Sequence, residues 1–423
     1  MFLTLCRRAN TNLHAIMAPT ERLLPIGIQS FPDIRERGFV YADKTARAHE
    51  LITGSGKAFF LSRPRRFGKS LLGSTLGAIF DGRRELFGEI AGRPALAINS
   101  LDWEWKKHPV IRFDLSPGNY SEGRTVLNAV LENSLDNAAR RYGAELRGQT
   151  VPMRFANLIT DLRERLNEKT VVIVDEYDSP LTNTLDKRDI HIELRDVLKA
   201  FYGVLKSCDD CLRFVFITGV SKFSHVSLFS GMNQLNDLTL DPRYADICGL
   251  TQEELEACFG PEIEGVLKKT GRGREEYLDE LRFFYNGYRF SEDPHKVYCP
   301  FGLLKHFYSG GKFSDYWYES ATPSFVVDLV TNNRINILDL KDMQVVQSDF
   351  GKYDIDNMSS VPLLCQTGYL TFSDYDESSG EYTVDFPNNE VRACFAGSLL
   401  ERQRIRFSVD GEREKGVQSR GEL

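Results

Sequence analysis

The strongest constraint on the fold is one continuous stretch. The short apolar run Lys57-Ala58-Phe59-Phe60-Leu61-Ser62 leads into Arg63-Pro64-Arg65-Arg66-Phe67-Gly68-Lys69-Ser70, and Leu71-Leu72 then begins an amphipathic stretch reaching Phe80. A strand, a polar turn and a helix in that order let backbone N–H groups, a helix N-terminus and one lysine surround phosphate oxygens. The order assigns residues 63–71 to nucleotide binding, with Lys69 reaching the β- and γ-phosphates and Ser70 ligating Mg2+. The pattern asks for glycine five residues before Gly68, where this chain has Arg63. Arginine does not readily take the backbone angles open to glycine, so the start of the loop is expected to differ from the usual one. Arg63, Arg65 and Arg66 are expected to add positive charge beside an anionic ligand.

A second feature reduces the alternative of a basic loop with a chance Gly-Lys-Ser. Residues 171–176, Val-Val-Ile-Val-Asp-Glu, read as an apolar strand ending in two acids. Asp175 is expected to support Mg2+ through water, and Glu176 to activate an attacking water. Taken singly, such an ending is also explained by a helix cap or a solvated acid pair. A further run, Arg213–Thr218, ends where a polar side chain could sense the γ-phosphate. Thr218 is the candidate, and β-propensity explains a threonine there equally well. Arg195, Arg213 and Arg243 stand as candidate arginine fingers, with nothing in the sequence to choose among them.

Strand-like runs at Lys57–Ser62, Val110–Leu115, Thr170–Val174, Arg213–Thr218 and Ala245–Leu250 alternate with amphipathic stretches at Lys69–Phe80, Thr125–Tyr142 and Arg188–Ser207. The alternation predicts an α/β fold: a mainly parallel sheet flanked by helices, with ligands at the carboxyl ends of the strands. One strand, Val110–Leu115, separates the two motifs in sequence, as in the P-loop branch that inserts a further strand between them in the sheet. Thr251-Gln252-Glu253-Glu254 opens a helical region as a capping box. Tyr369–Phe372 and Tyr382–Phe386, joined by the turn-rich Asp374–Gly380, predict a hairpin. The expected division is a tail at 1–22, a P-loop domain at 23–250, a helical lid at 251–345, a small α+β, winged-helix-like segment at 346–408 and a disordered tail at 409–423.

At 423 residues the chain exceeds what one core usually holds. Its net charge of -7 argues against a surface built to coat nucleic acid. No apolar run approaches the roughly 18–20 residues that cross a bilayer. The eight scattered cysteines fit a reducing cytoplasm, and Cys208-Asp209-Asp210-Cys211 reads as a surface turn rather than a metal or redox motif.

With these residues in view, the chain resembles the bacterial and archaeal AAA-ATPase-like family, whose members are often joined to a PD-(D/E)XK nuclease-like domain. The resemblance rests on Ile26-Gly27 with Phe31, Tyr41-Ala42-Asp43-Lys44-Thr45, Arg63–Ser70, Asp175-Glu176-Tyr177-Asp178 and Thr218–Ser224. Tyr285-Asn286-Gly287-Tyr288-Arg289-Phe290 and Phe386–Arg392 extend it to roughly residues 23–400. It implies that the arginine-rich loop is the family's usual form, and that the chain is an ATP-binding module with a helical lid. About thirty residues follow Arg392, too few for a nuclease core, and Arg413–Arg420 reads as polar filler left by truncation or a frameshift.

The function expected is a Mg2+-dependent ATPase acting as a nucleotide-controlled switch, either as a homo-oligomer or with a protein partner. Two alternatives stay open: a module that holds ATP or ADP without turnover, and a remnant of an ATPase-nuclease acting on nucleic acid through basic stretches such as Lys268–Arg274. Glu176 favours hydrolysis. Tyr285–Tyr288 is expected to pack against a neighbouring domain rather than recognise a partner.

Overall fold

The computed structural model describes residues 22–222, 228–229, 231–321, 340–351 and 360–398. Five strands, β1 (Ala58–Ser62), β2 (Val110–Asp114), β3 (Thr170–Asp175), β4 (Leu212–Gly219) and β5 (Leu235–Asp237), form one parallel sheet in the order β2-β3-β4-β1-β5. Four of the five runs read from the sequence are strands of this sheet. β4 lies between β1 and β3, pairing Ser62 with Gly219 on one side and Val174 with Ile217 on the other. The loop after β1 and the acids at the end of β3 therefore share the carboxyl edge, one strand apart.

β1, β3 and β4 are covered on both faces, which is why they read as nearly unbroken apolar runs. Phe59, Leu61, Val171, Ile173, Phe214 and Phe216 point to the face covered by α1 (Phe31–Glu36), α2 (Thr45–Thr53) and α3 (Lys69–Phe80). Ala58, Phe60, Val172, Val174, Val215 and Ile217 point to the face covered by α4 (Arg124–Tyr142), α5 (Val151–Leu166) and α7 (Arg188–Ser207). The short α6 (Ser179–Thr182) follows the acid pair. Sequence reading omitted α5, although Thr150 caps it by accepting from Met153 N, and Val151, Phe155, Leu158, Ile159 and Leu162 bury one helical face.

The fifth strand corrects the expectation. Ala245–Leu250 is not a strand: it ends in a bridge between Leu250 and Tyr298, and its apolar side chains pack into the core from a turn. The edge is closed instead by the short, polar β5, where the Asn236 side-chain amide donates to Ala58 O at 3.1 Å. An edge strand covered on one side only carries no long apolar run.

After Leu250 the chain is helical at Gln252–Thr270, Arg274–Tyr285, Pro300–Tyr308 and Tyr316–Ala321, sharing a core with Val40. The capping box forms: Thr251 Oγ1 accepts from Glu254 N, and Glu254 accepts from Thr251 N. The expected hairpin is β7 (Thr371–Asp376) with β8 (Glu381–Asp385), and β6 (Met343–Val346) joins it as a third antiparallel strand. The tails expected at 1–22 and 409–423 lie outside the described residues apart from Arg22, as do Phe223 and Ser224 and the stretch Arg413–Arg420. Among the described residues no helix is long and apolar enough to cross a membrane.

The two late motifs meet at Gly287. Its φ is +114°, and a Cβ there would lie 1.8 Å from Pro387 O. Gly287→Ala is expected to cost about 3 kcal/mol or more, through backbone strain plus a clash with a carbonyl that cannot yield. Gly380→Ala, in the open turn between β7 and β8 at φ +71°, should cost about 1 kcal/mol. Denaturant unfolding of the two variants checks the contrast.

Candidate functional site

The loop after β1 is fastened from behind. Arg63 is 1% exposed. Its guanidinium donates to Ser62 O and Thr239 O, both at 2.9 Å, and to Tyr244 O at 3.0 Å, and it lies over the Phe290 ring at 4.3 Å. Burial pushes its pKa down to about 10, still charged at neutral pH. This corrects the expected role: Arg63 does not line the cavity, and of the three arginines only Arg65 and Arg66 face it.

Each of the next four carbonyls has a partner. Pro64 O accepts from Lys69 Nζ at 3.2 Å, and Arg65 O from the Trp317 indole N–H at 3.0 Å. Arg66 O accepts from Cys299 Sγ at 3.7 Å, and Phe67 O from Gly249 N at 3.2 Å. Phe67 is buried edge-on against Tyr288 and Phe290. Arg66 (φ +71°) and Gly68 (φ +95°) take left-handed conformations, and α3 begins at Lys69. Left-handed residues in a turn just ahead of a helix N-terminus suit an anion nest.

Beyond the loop lies a cavity of about 470 Å³, within the usual range for small-molecule sites. Its polar lining comes from the sheet's carboxyl edge (Arg65, Arg66, Gly68, Lys69, Ser70, Asp114, Ser116, Asp175 and Glu176), from Ser179 and Asn183 around α6, and from Gln29, Tyr41 and Lys44. Its apolar lining comes from residues 25–42 (Pro25, Ile28, Ile34, Val40), from Ile247 and Leu250, and from the later helices (Phe259, Phe301, Leu304).

Lys69 is 4% exposed, and its Nζ lies 3.7 Å from Glu176 Oε1. Asp175 bonds to the Ser70 side chain and accepts from Glu176 N at 3.0 Å. Burial, then the neighbouring Glu176, pushes the Asp175 pKa from its ordinary 3.8 to about 6. Asp175 and Glu176 both face Lys69. Ser70 and Asp175 supply the hard oxygen donors that suit Mg2+. Among the described residues no group of three or more His, Cys, Asp or Glu forms a metal cage, so an ion here would be shared with phosphates.

Pro64 and Thr218 stay out of the cavity. Thr218 is fully buried, its hydroxyl has no hydrogen-bond partner among the described residues, and strand alternation puts it on the same face as Phe216. Leu71 lines the cavity. None of the candidate fingers does: Arg195 pairs with Asp196, Arg243 with Asp241, and Arg213 donates to Ile52 O at the far end of β4. Sequence reasoning missed Asp114, Ser116, Asn183 and the 25–44 segment. Asp114 was findable, because it ends β2 in register with Asp175. Cys208 and Cys211 are free thiols whose pKa values burial raises, at the turn after α7.

The profile of a family described as a predicted AAA-ATPase matches residues 25–229. A protein of Azotobacter chroococcum mcd 1, described as an uncharacterized protein in the vnfD 5' region, is 36% identical over 387 residues, covering 90% of this chain and 71% of that protein. Among solved structures, Cdc6p from Pyrobaculum aerophilum aligns over 92% of this chain and 97% of that chain, at 11% identity and a TM-score of 0.27, too loose a match to carry any argument.

The raised Asp175 pKa has a stability consequence. A carboxylate whose folded pKa lies above its unfolded value costs nothing below the unfolded value, and its full penalty is reached above the folded one. Without Mg2+ or nucleotide, Asp175→Asn is therefore expected to stabilise the fold at pH 7 by on the order of 2 kcal/mol. The gain should shrink as pH falls through about 6 and vanish below 3.8. Thermal melts across that range, in chelator, measure it.

Proposed function

Because the chain belongs to the AAA-ATPase-like family, we propose that its cavity binds ATP with Mg2+ and hydrolyses the nucleotide. The observation that carries this reading is the placement of Lys69: buried at the root of α3, beside Ser70, and within 3.7 Å of the acid that ends β3. The loop N–H groups and Lys69 would hold the phosphates, with Arg65 and Arg66 adding positive charge. The apolar lining from residues 25–42 and the later helices suits a base. Ser70 and Asp175 would hold Mg2+, which neutralises phosphate charge. Phosphate oxygens would displace Glu176 as the partner of Lys69, leaving the Glu176 carboxylate to accept a proton from an attacking water. In this reading residues 251–345 act as a lid over the base, and residues 346–408 follow the loop through Trp317 and Pro64.

A second reading, a module that holds nucleotide without turnover, shares every binding contact and differs only in leaving Glu176 without a task. In the basic stretch on which the nucleic-acid reading rests, Arg272 pairs with Glu280, and Arg274 with Glu256 and Glu264.

Purified wild type is expected to hydrolyse ATP with Mg2+. Lys69→Ala should weaken ATP binding by roughly tenfold to a hundredfold, the range for a lost charge-assisted contact. Glu176→Gln should bind normally and turn over about 10²–10⁴-fold more slowly. Wild type that binds but never hydrolyses would establish the second reading, and wild type that does not bind would sink both.

A further inference from the structure

Asp178 lies outside the cavity lining yet is among the most heavily bonded acids of the fold. It is 1% exposed, and its carboxylate accepts three hydrogen bonds from the end of β4: Val220 N at 3.2 Å, Ser221 N at 2.8 Å and Ser221 Oγ at 2.8 Å. Tyr177 adds two crosslinks to the same segment, its N–H donating to Thr218 O at 3.0 Å and its hydroxyl to Ser221 O at 2.7 Å. Gly219 makes the close approach possible, since a Cβ there would meet Asp178 Oδ1 at 2.4 Å. The far side of the segment is anchored too: Lys222 N donates to Gln366 Oε1 at 2.9 Å, and Lys222 Nζ pairs with Asp237 Oδ2 at 2.5 Å.

Glu176 immediately precedes this clamp and sits at φ +52°. A non-glycine residue in the left-handed region costs about 1–3 kcal/mol and persists only where its surroundings fix it. We propose that Asp178 is a positioning residue for hydrolysis: by tying the turn after β3 to the end of β4, it holds Glu176 in that conformation, with its carboxylate facing Lys69. The inference rests on Glu176 being the water-activating acid. Asp178 touches neither nucleotide nor water. It acts through the backbone, much as an outer hydrogen-bond partner orients a ligating group. A buried carboxylate is tolerated here because three donors satisfy it, and every one of them belongs to the element being clamped.

The test measures steady-state ATP turnover and nucleotide affinity in Asp178→Asn, Ser221→Ala and Ser221→Thr, each alone, and in Asp178→Asn combined with Glu176→Gln. Asp178→Asn should lower kcat by at least about tenfold while nucleotide affinity stays within about threefold, since a misplaced general base harms the reacting geometry rather than binding. Ser221→Ala should fall between wild type and Asp178→Asn, and Ser221→Thr, which keeps the hydroxyl, should recover most of the difference. In the Glu176→Gln background, adding Asp178→Asn should change the residual turnover by less than about twofold, because positioning a removed group has no effect. If Asp178→Asn does not fold, the Ser221 pair decides: equal kcat in Ser221→Ala and wild type overturns the proposal. A purely structural role would lower the melting temperature, leave kcat unchanged and add fully in the double variant, and that result also overturns it. If Glu176→Gln alone leaves turnover unchanged, the parent reading fails. If Glu176→Gln abolishes turnover and Asp178→Asn does not lower it, only the present inference fails.

Discussion

Arg63 carries the geometry of the phosphate loop. Its guanidinium sits behind the loop on the carbonyls of Ser62, Thr239 and Tyr244, with the Phe290 ring against its face. Nη1 and Nη2 are paired while the buried Nε has no hydrogen-bond partner among the described residues, so the buried guanidinium depends on those three carbonyls staying where they are. One side chain thereby joins the end of β1, the turn after β5 and the joint that leads to the C-terminal sheet. A P-loop with glycine at this position uses backbone freedom to begin the turn. Here the turn begins with an arginine reaching out of it, and the left-handed residues come later, at Arg66 and Gly68.

The rest of the loop is likewise fixed by distant segments. Trp317 donates its indole N–H to Arg65 O and its backbone N–H to Glu390, while Gly368 leaves room for Pro64, whose Cβ lies 2.8 Å from where a Cβ at Gly368 would stand. Tyr288 supports Phe67, and Arg289 donates to the carbonyls of Ser291, Asp293 and Ser373. The motifs around residues 285–290 and 386–392 thus brace the loop after β1 from behind. A site held this way is not autonomous. The loop and the C-terminal sheet share contacts, so a displacement of either would be felt in the other.

Much of this could be read from residues alone, for physical reasons. Strands buried on both faces announce themselves as apolar runs, and Gly68-Lys69-Ser70 marks where α3 begins. β5 was not legible because an edge held by the Asn236 amide needs no apolar run. The direction of the Arg63 side chain was not legible either, since the same residue could face phosphate or core, and only the carbonyls of Thr239 and Tyr244, far along the chain, decide it. The apolar end of the cavity is assembled from segments as far apart as Ile28 and Leu304, and no local pattern announces it.

Calorimetric titration of the purified chain with a non-hydrolysable ATP analogue, with Mg2+ and then with a chelator, tests the central claim most directly. The account predicts one site per chain whose affinity falls at least about tenfold when Mg2+ is removed, because the acid pair then faces the phosphates uncompensated. No binding at millimolar analogue, or binding indifferent to Mg2+, would contradict it.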